Sequence, residues 1–202
     1  ESAHRPDVFL DVGGNYGTHS LLFLLHDIRT ITFEPNASCH DYFKRLCAMN
    51  DVSPDLRPVA IGDEHGEVAL VYPQLDTWLG SVSPDVVHTL TTHPNLVTQK
   101  VEQQTLDNYL PLLEGQRTLI KIDTEGSECA VLRGAVNVLD RVKPLVIFES
   151  VDKGTRREIN DYLASHQYSI HSLPWRPAGA HLPLTPRDLF HHAGTNFIAI
   201  PL

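Results

Sequence analysis

Five acids close five apolar runs in this 202-residue chain: Asp11 in FLDVGG, Glu34 in ITFEP, Asp63 in VAIGD, Asp123 in LIKID and Glu149 in VIFES. If the runs are strands of one parallel sheet, all five carboxylates fall on one edge of it. Such a row suits a ligand that offers hydroxyls, amines or positive charge. Lys121 stands two residues before Asp123, hence on the same face of its strand. An ammonium inside an apolar strand calls for a carboxylate partner, because burying it alone is costly. The pair reads either as a structural ion pair or as a device that sets the protonation of a base at Asp123. Taking a proton from a hydroxyl is work for a positioned base. Asp123 is the first candidate, with Glu149 on the neighbouring strand and His19 on the first helix as rivals.

Asp11 opens a second cluster, DVGGNYG, in which a strand runs into glycines and then a helix-like segment. The dinucleotide fingerprint G-x-G-x-x-G sets a pyrophosphate on a helix N-terminus. Here the glycines are Gly13, Gly14 and Gly17, with Asn15 in the third slot, and Asp11 would repel a pyrophosphate. S-adenosyl-L-methionine has no phosphate; it carries a sulfonium, an ammonium and two ribose hydroxyls. Glu34, ending the second strand, is where a carboxylate would accept both hydroxyls. Two other classes stand beside a transferase: an NAD-dependent oxidoreductase or epimerase, against which the broken fingerprint speaks, and a non-catalytic binding module on the same fold.

The elements that must position these residues alternate. Strand-like runs at 8–13, 30–35, 56–62, 67–73, 118–123 and 144–150 are separated by helix-like segments at 17–27, 37–50 and roughly 127–140. Asn36 or Ser38 is available to cap the second helix. An amphipathic helix over 155–167 and closing strands in YSIHSL and NFIAIPL complete the pattern. Strands apolar throughout imply a parallel sheet covered on both faces, hence a doubly wound α/β fold that binds ligands at its strand carboxyl ends. Residues 74–99 and 174–195 show little periodicity, and loops of that length tend to be functional. They supply Ser81, Trp175 and Arg176, which with His19 and Glu125 are the candidates to touch an acceptor. Paired histidines such as His191 and His192 have no ligand geometry, so no metal is expected; a cation, if bound, would be a hard one on carboxylates.

Composition limits the rest. The chain is 42% hydrophobic and 20% charged, enough for one domain spanning 1–202. Its first residue is Glu1 and its only methionine Met49, which fits a domain of a longer protein. A net charge of −9 argues against a nucleic-acid binder. No run reaches membrane-spanning length. Cys39, Cys47 and Cys129 form no even framework or metal spacing and read as thiols of a reducing compartment, hence cytoplasmic.

The motifs FLDVGGNYGTHS, FEPN, TLIKIDTEGSECAVLRGA and VIFES, together with VAIGDEHGEVAL, TLDNYL and NFIAIPL, resemble those of the FkbM-type S-adenosylmethionine-dependent methyltransferases over nearly the whole chain. The most specific piece is K-I-D-x-E-G-x-E followed by V-L-x-G-A. The resemblance implies a seven-stranded class I methyltransferase sheet with its last strand antiparallel. It also implies O-methylation of a small-molecule or glycan hydroxyl. Carried over, Asp11, Gly13, Gly14, Asn15 and Gly17 would wrap the methionine moiety, Glu34 with Pro35 would hold the ribose, and Asp63 or the backbone near Ala60 and Ile61 would lie by the adenine. Gly14 stands where the family often has alanine, which implies added flexibility. The acceptor's identity and the oligomeric state are not written in the sequence.

Overall fold

The structure, a computed structural model, describes residues 5–175 and 182–202. Its frame is a seven-stranded sheet. The first strand, β1 (Val8–Val12), is buried along its whole length, as befits a central strand covered on both faces. β2 (Arg29–Phe33) pairs with it in parallel on one side, and β3 (Asp55–Arg57) follows outside β2. On the other side of β1 come, in spatial order, β7 (Thr118–Ile122), β8 (Leu145–Glu149), β10 (Asn196–Pro201) and β9 (Tyr168–Ser172). β10 runs antiparallel to both neighbours, the one reversed strand, as the family resemblance implies. The strand order changes direction between β1 and β7, so loops at the carboxyl ends of these two strands diverge and leave a crevice.

Leu10, Ile31, Phe33, Ile120, Ile122 and Phe148 form the middle of the core on one face. On the other, Phe9 stacks on Phe23 of α1 (Thr18–Leu24), ring centroids 3.8 Å apart. α2 (Ala37–Ala48) starts where Asn36 Oδ1 accepts the Ser38 N–H at 3.0 Å; of the two caps proposed, Asn36 is the one used.

Several readings of the sequence are corrected. The strand expected over 56–62 is two short ones, because Pro58 has no N–H to give a ladder. The second piece, β4 (Ala60–Ile61), leaves the main sheet and joins a separate sheet of order β4-β6-β5, with β5 (Gly66–Pro73) and β6 (Leu96–Gln104) antiparallel over eight residue pairs. β6 begins inside the stretch read as irregular. Thr98, Lys100 and Glu102 face solvent while Val101 and Gln103 are buried, because only one face of this small sheet is covered. A one-turn 3-10 segment (Thr77–Leu79) and α3 (Pro84–Leu90) fill the interval, and the short α4 (Leu110–Leu113) follows β6.

The helix expected over 127–140 is α5 (Glu128–Arg133) followed by a separate turn at Val138–Val142. Asp107 starts that turn anew, its carboxylate accepting the N–H groups of Asn137 and Val138 at 3.1 and 3.0 Å. Residues 174–195 are not one loop either. They include α7 (Pro186–His191), which packs on α6 (Lys153–Ser165) with Leu189 buried. Asp152, accepting the Thr155 N–H at 2.8 Å, starts α6 two residues before the expected 155. Among the described residues, no helix is long and apolar enough to cross a membrane.

Candidate active site

At the carboxyl ends of β1, β2 and β7 lies a cavity of about 330 Å³. Its floor is the turn after β1. Gly13 has φ of 80°, and a Cβ there would lie 1.9 Å from the carbonyl oxygen of Asp123, so only glycine lets the two strand ends approach this closely. The N–H groups of Gly13 and Gly14 both donate to the Phe33 carbonyl at 3.0 and 3.1 Å. A Cβ on Gly14 would meet the Thr32 methyl at 2.3 Å. Gly14 in place of alanine therefore reflects close packing rather than added flexibility.

Glu34 lies just beyond β2, buried, and lines the cavity. Its Oε2 accepts the Asn15 N–H and its Oε1 the Asn36 N–H, both at 2.7 Å. Each oxygen keeps lone-pair capacity beyond these bonds. Burial pushes the carboxyl up to about 7, against the pull of the two backbone donors and of Lys121 and with added repulsion from Asp11. Pro35, Ala60 and Ile61 supply apolar wall beside it.

Across the cavity, Lys121 Nζ lies 2.9 Å from Asp123 Oδ2 and 3.9 Å from Asp11 Oδ1. One cation thus serves two carboxylates. Asp11 is the buried partner: its Oδ2 accepts the N–H and hydroxyl of Ser20, tying α1 to β1. It stands behind the turn and does not line the cavity. Asp123 does, together with Glu125, which sits in the next turn at φ of 52°. Glu128, buried, shapes that turn by accepting from the N–H of Thr124, its hydroxyl and the Gly126 N–H. Ser81 braces it from the small sheet, donating to the Glu125 carbonyl at 2.7 Å.

Carboxylate oxygens of Asp123, Glu125 and Glu149 lie within 4.8 Å of one another, close enough to gather a hard cation or to share protons. Burial, with repulsion from Asp123, Glu149 and Glu128, raises Glu125 to about 7. Burial also raises Glu149, with repulsion from Asp123 and a hydrogen bond shared with it. Glu149 Oε1 also accepts from the Thr195 hydroxyl at 3.3 Å.

The row of five acids thus resolves differently from the sequence reading. Glu34, Asp123 and Glu149 stand at the ligand edge and Glu125 joins them. Asp11 is a hidden positioning group. Asp63 is exposed past β4, outside the main sheet, 4.0 Å from Arg133. Gly17 precedes α1 and packs on Phe43 instead of lining the cavity. His19 lines the rim, whereas half-buried Trp175 does not, and Arg176 lies outside the described residues. Sequence reasoning left Tyr16, Asn36 and Thr77 out of the site and placed Trp78 only within the irregular stretch 74–99; all four line the cavity. Thr77 donates to the Tyr16 hydroxyl at 3.0 Å, joining the small sheet to the glycine turn. QLDTWLGS, beside the second strand pair, was the available signal.

A seven-stranded sheet with one reversed strand, and a cavity at its point of divergence, define a class I methyltransferase fold. The comparisons agree. Residues 11–170 match the family described as the methyltransferase FkbM domain, so the chain belongs to that family. A crystal structure of an FkbM methyltransferase from Methylobacillus flagellatus superposes with a TM-score of 0.59 at 16% identity, covering 96% of this chain and 43% of that one. Precorrin 8w decarboxylase from Methanobacterium thermoautotrophicum shares the fold at a TM-score of 0.50 and 10% identity, covering 98% of this chain and 83% of its own. Among curated proteins, the hexuronic acid methyltransferase AglP of Haloferax volcanii is 28% identical over 152 residues, 73% of this chain and 57% of that protein. The chain thus spans little more than half the length of that relative.

Proposed function

We propose that the protein transfers the methyl group of S-adenosyl-L-methionine to a hydroxyl of a sugar or another small molecule. The observation that carries this reading is a single cavity with Glu34 on one side and the Asp123 and Glu125 acids on the other, floored by the Gly13–Gly14 turn. The donor set fits that cofactor: carboxylate acceptors for hydroxyl and ammonium groups, apolar wall for a base, and a turn without the phosphate-gripping glycine fingerprint. When bound, the cofactor supplies a methyl group already activated by a sulfonium. Glu34 would accept the ribose hydroxyls, the Gly13–Asn15 turn would hold the methionine moiety, and Ala60, Ile61 and Pro35 would flank the adenine. Asp11 acts through Lys121 and Ser20, and it keeps the turn in place.

Displacement at the methyl carbon requires an oxygen in line and about 3 Å away, and the alcohol must lose its proton. Asp123 takes that proton. Lys121 holds the Asp123 carboxylate in place, and Glu149 lies against it. Glu125, His19 and Trp78 border the space left for the acceptor. A carbohydrate acceptor is supported by the hexuronic acid named for the Haloferax relative. A second reading rests on the convergence of Asp123, Glu125 and Glu149: a divalent cation there would polarise the hydroxyl instead.

The test is incubation with isotopically labelled S-adenosylmethionine and a panel of glycans, with mass spectrometry locating the new methyl group. Label on a sugar oxygen is the expected result. Label on nitrogen or carbon, or none on any hydroxyl acceptor while the cofactor binds, contradicts the reading.

A further inference from the structure

A second cavity of about 330 Å³ lies between α6 and α7, apart from the one described above. Arg156, Arg157, Asn160, Arg187, Phe190 and His191 line it. The chain as a whole is acidic, at −9, so this concentration of cations is out of keeping with its surface. Lys153 and Arg157 lie over the Phe190 ring, 5.6 and 5.2 Å from its centroid, which orders both cations at the groove. Among the described residues, neither they nor Arg187 has a carboxylate within 4.0 Å. The acids nearby are engaged elsewhere: Asp188 with the Thr185 hydroxyl, Glu158 with Arg133, Asp161 with the Asn160 amide.

Arg156 joins this groove to the candidate active site. It is buried, and its two terminal nitrogens donate to the carbonyls of Leu189, His192, Ser150 and Gly194, which leaves Nε without an acceptor. Ser150 follows Glu149, and Gly194 precedes Thr195, whose hydroxyl donates to Glu149. Groove and acid cluster therefore share a wall. The charges on its two sides are opposite: the carboxylates of Asp123, Glu125 and Glu149 on one, and on the other Arg157 and Arg187, which line the groove, with Lys153 beside it. An acceptor that carries negative charge is repelled from the first and attracted to the second.

We infer that the α6–α7 groove seats a phosphate or diphosphate group of the acceptor, so that the sugar it bears lays a neutral hydroxyl at Asp123, Glu125 and Glu149. The inference rests on the methyl-transfer reading for its role, though the groove itself stands on its own geometry. Three cations with two guanidinium forks match a multiply charged oxyanion better than a single carboxylate.

The probes are inorganic pyrophosphate, titrated calorimetrically at low salt, and phosphatidylcholine vesicles carrying a polyprenyl phosphate. The proteins are the unaltered chain, the double variant Arg157→Gln/Arg187→Gln, and a control, Lys44→Gln/Lys143→Gln, which removes exposed cations elsewhere. All four side chains are solvent-facing, and thermal melting confirms that each variant folds. At least one probe is expected to bind the unaltered chain and the control, and to bind the groove variant roughly tenfold or more weakly. Pyrophosphate binding marks a soluble phosphate-bearing acceptor, whereas vesicle binding alone marks a lipid-borne one. No binding of either probe, or an equal loss in variant and control, overturns the inference. Affinity for S-adenosylhomocysteine, measured on the same samples, tests the methyl-transfer reading separately and is expected to be unchanged in both variants.

Discussion

Glu34 is a buried carboxyl held near neutrality by opposing forces, and this has a measurable consequence. A carboxylate accepts two ribose hydroxyls fully only when ionised, so binding draws its proton off. With the free group at about 7, affinity for S-adenosylhomocysteine should rise between pH 6 and pH 8 and then level. Calorimetry across that range checks it, and Glu34→Gln should flatten the profile; a flat profile in the unaltered protein removes Glu34 from the ribose. Asp123 faces a different demand. General bases contribute a factor of about 10²–10⁴, so Asp123→Asn should lower turnover by that order while cofactor affinity holds. Near-normal turnover hands the role to Glu149 or His19. Chelation should leave the rate alone; loss of activity restored by Mg²⁺ would recast the three acids as cation ligands.

Elements explain which parts of this were legible in the sequence. β1 is buried along its length, and β2, β7 and β8 are buried on one face and covered at least in part on the other, so each reads as a largely apolar run closed by a polar residue, and their shared ligand edge follows. Asp11 and Asp63 were misjudged because sequence position does not tell a strand end from a penultimate residue facing a helix, nor a strand of the main sheet from one that leaves it at Pro58. β6 was missed because LVTQKVEQQ carries the alternation of a half-solvated strand, which is weak beside polar loops. That small sheet matters to the site through Ser81, which accepts the Ser83 N–H at 3.0 Å and donates to the Glu125 carbonyl. Ser81 is buried, so Ser81→Ala leaves both partners unsatisfied and should destabilise by about 1–3 kcal/mol. Urea unfolding measures this, and a loss near zero would show that the turn holds without the brace. Replacing 174–195 as a block is a poor test of acceptor choice, since it removes Leu189 and the carbonyls that Arg156 requires.

Across the whole molecule, the acids gathered for function oppose stability in the absence of ligand. Glu34, Glu125 and Glu149 all have carboxyl groups raised by burial, so the folded state holds protons that the unfolded chain has released. Stability therefore falls as pH rises from the ordinary carboxyl value of 4.5 through about 7. Glu34 alone accounts for roughly 3 kcal/mol of that loss. Melting of the ligand-free protein should be higher at pH 5 than at pH 7.5, and Glu125→Gln should narrow the gap; the reverse order would mean that these carboxyl groups are not raised. The central claim is that the cavity between Glu34 and Asp123 is built for the methyl donor. Calorimetric titration of the ligand-free chain with S-adenosylhomocysteine and, separately, with NAD tests it most directly. The account predicts micromolar binding of S-adenosylhomocysteine, none comparable for NAD, and a marked loss in Glu34→Ala, whose missing hydrogen bonds are worth about 1.5–3 kcal/mol each. Equal or tighter binding of NAD, or undiminished affinity in Glu34→Ala, would contradict it.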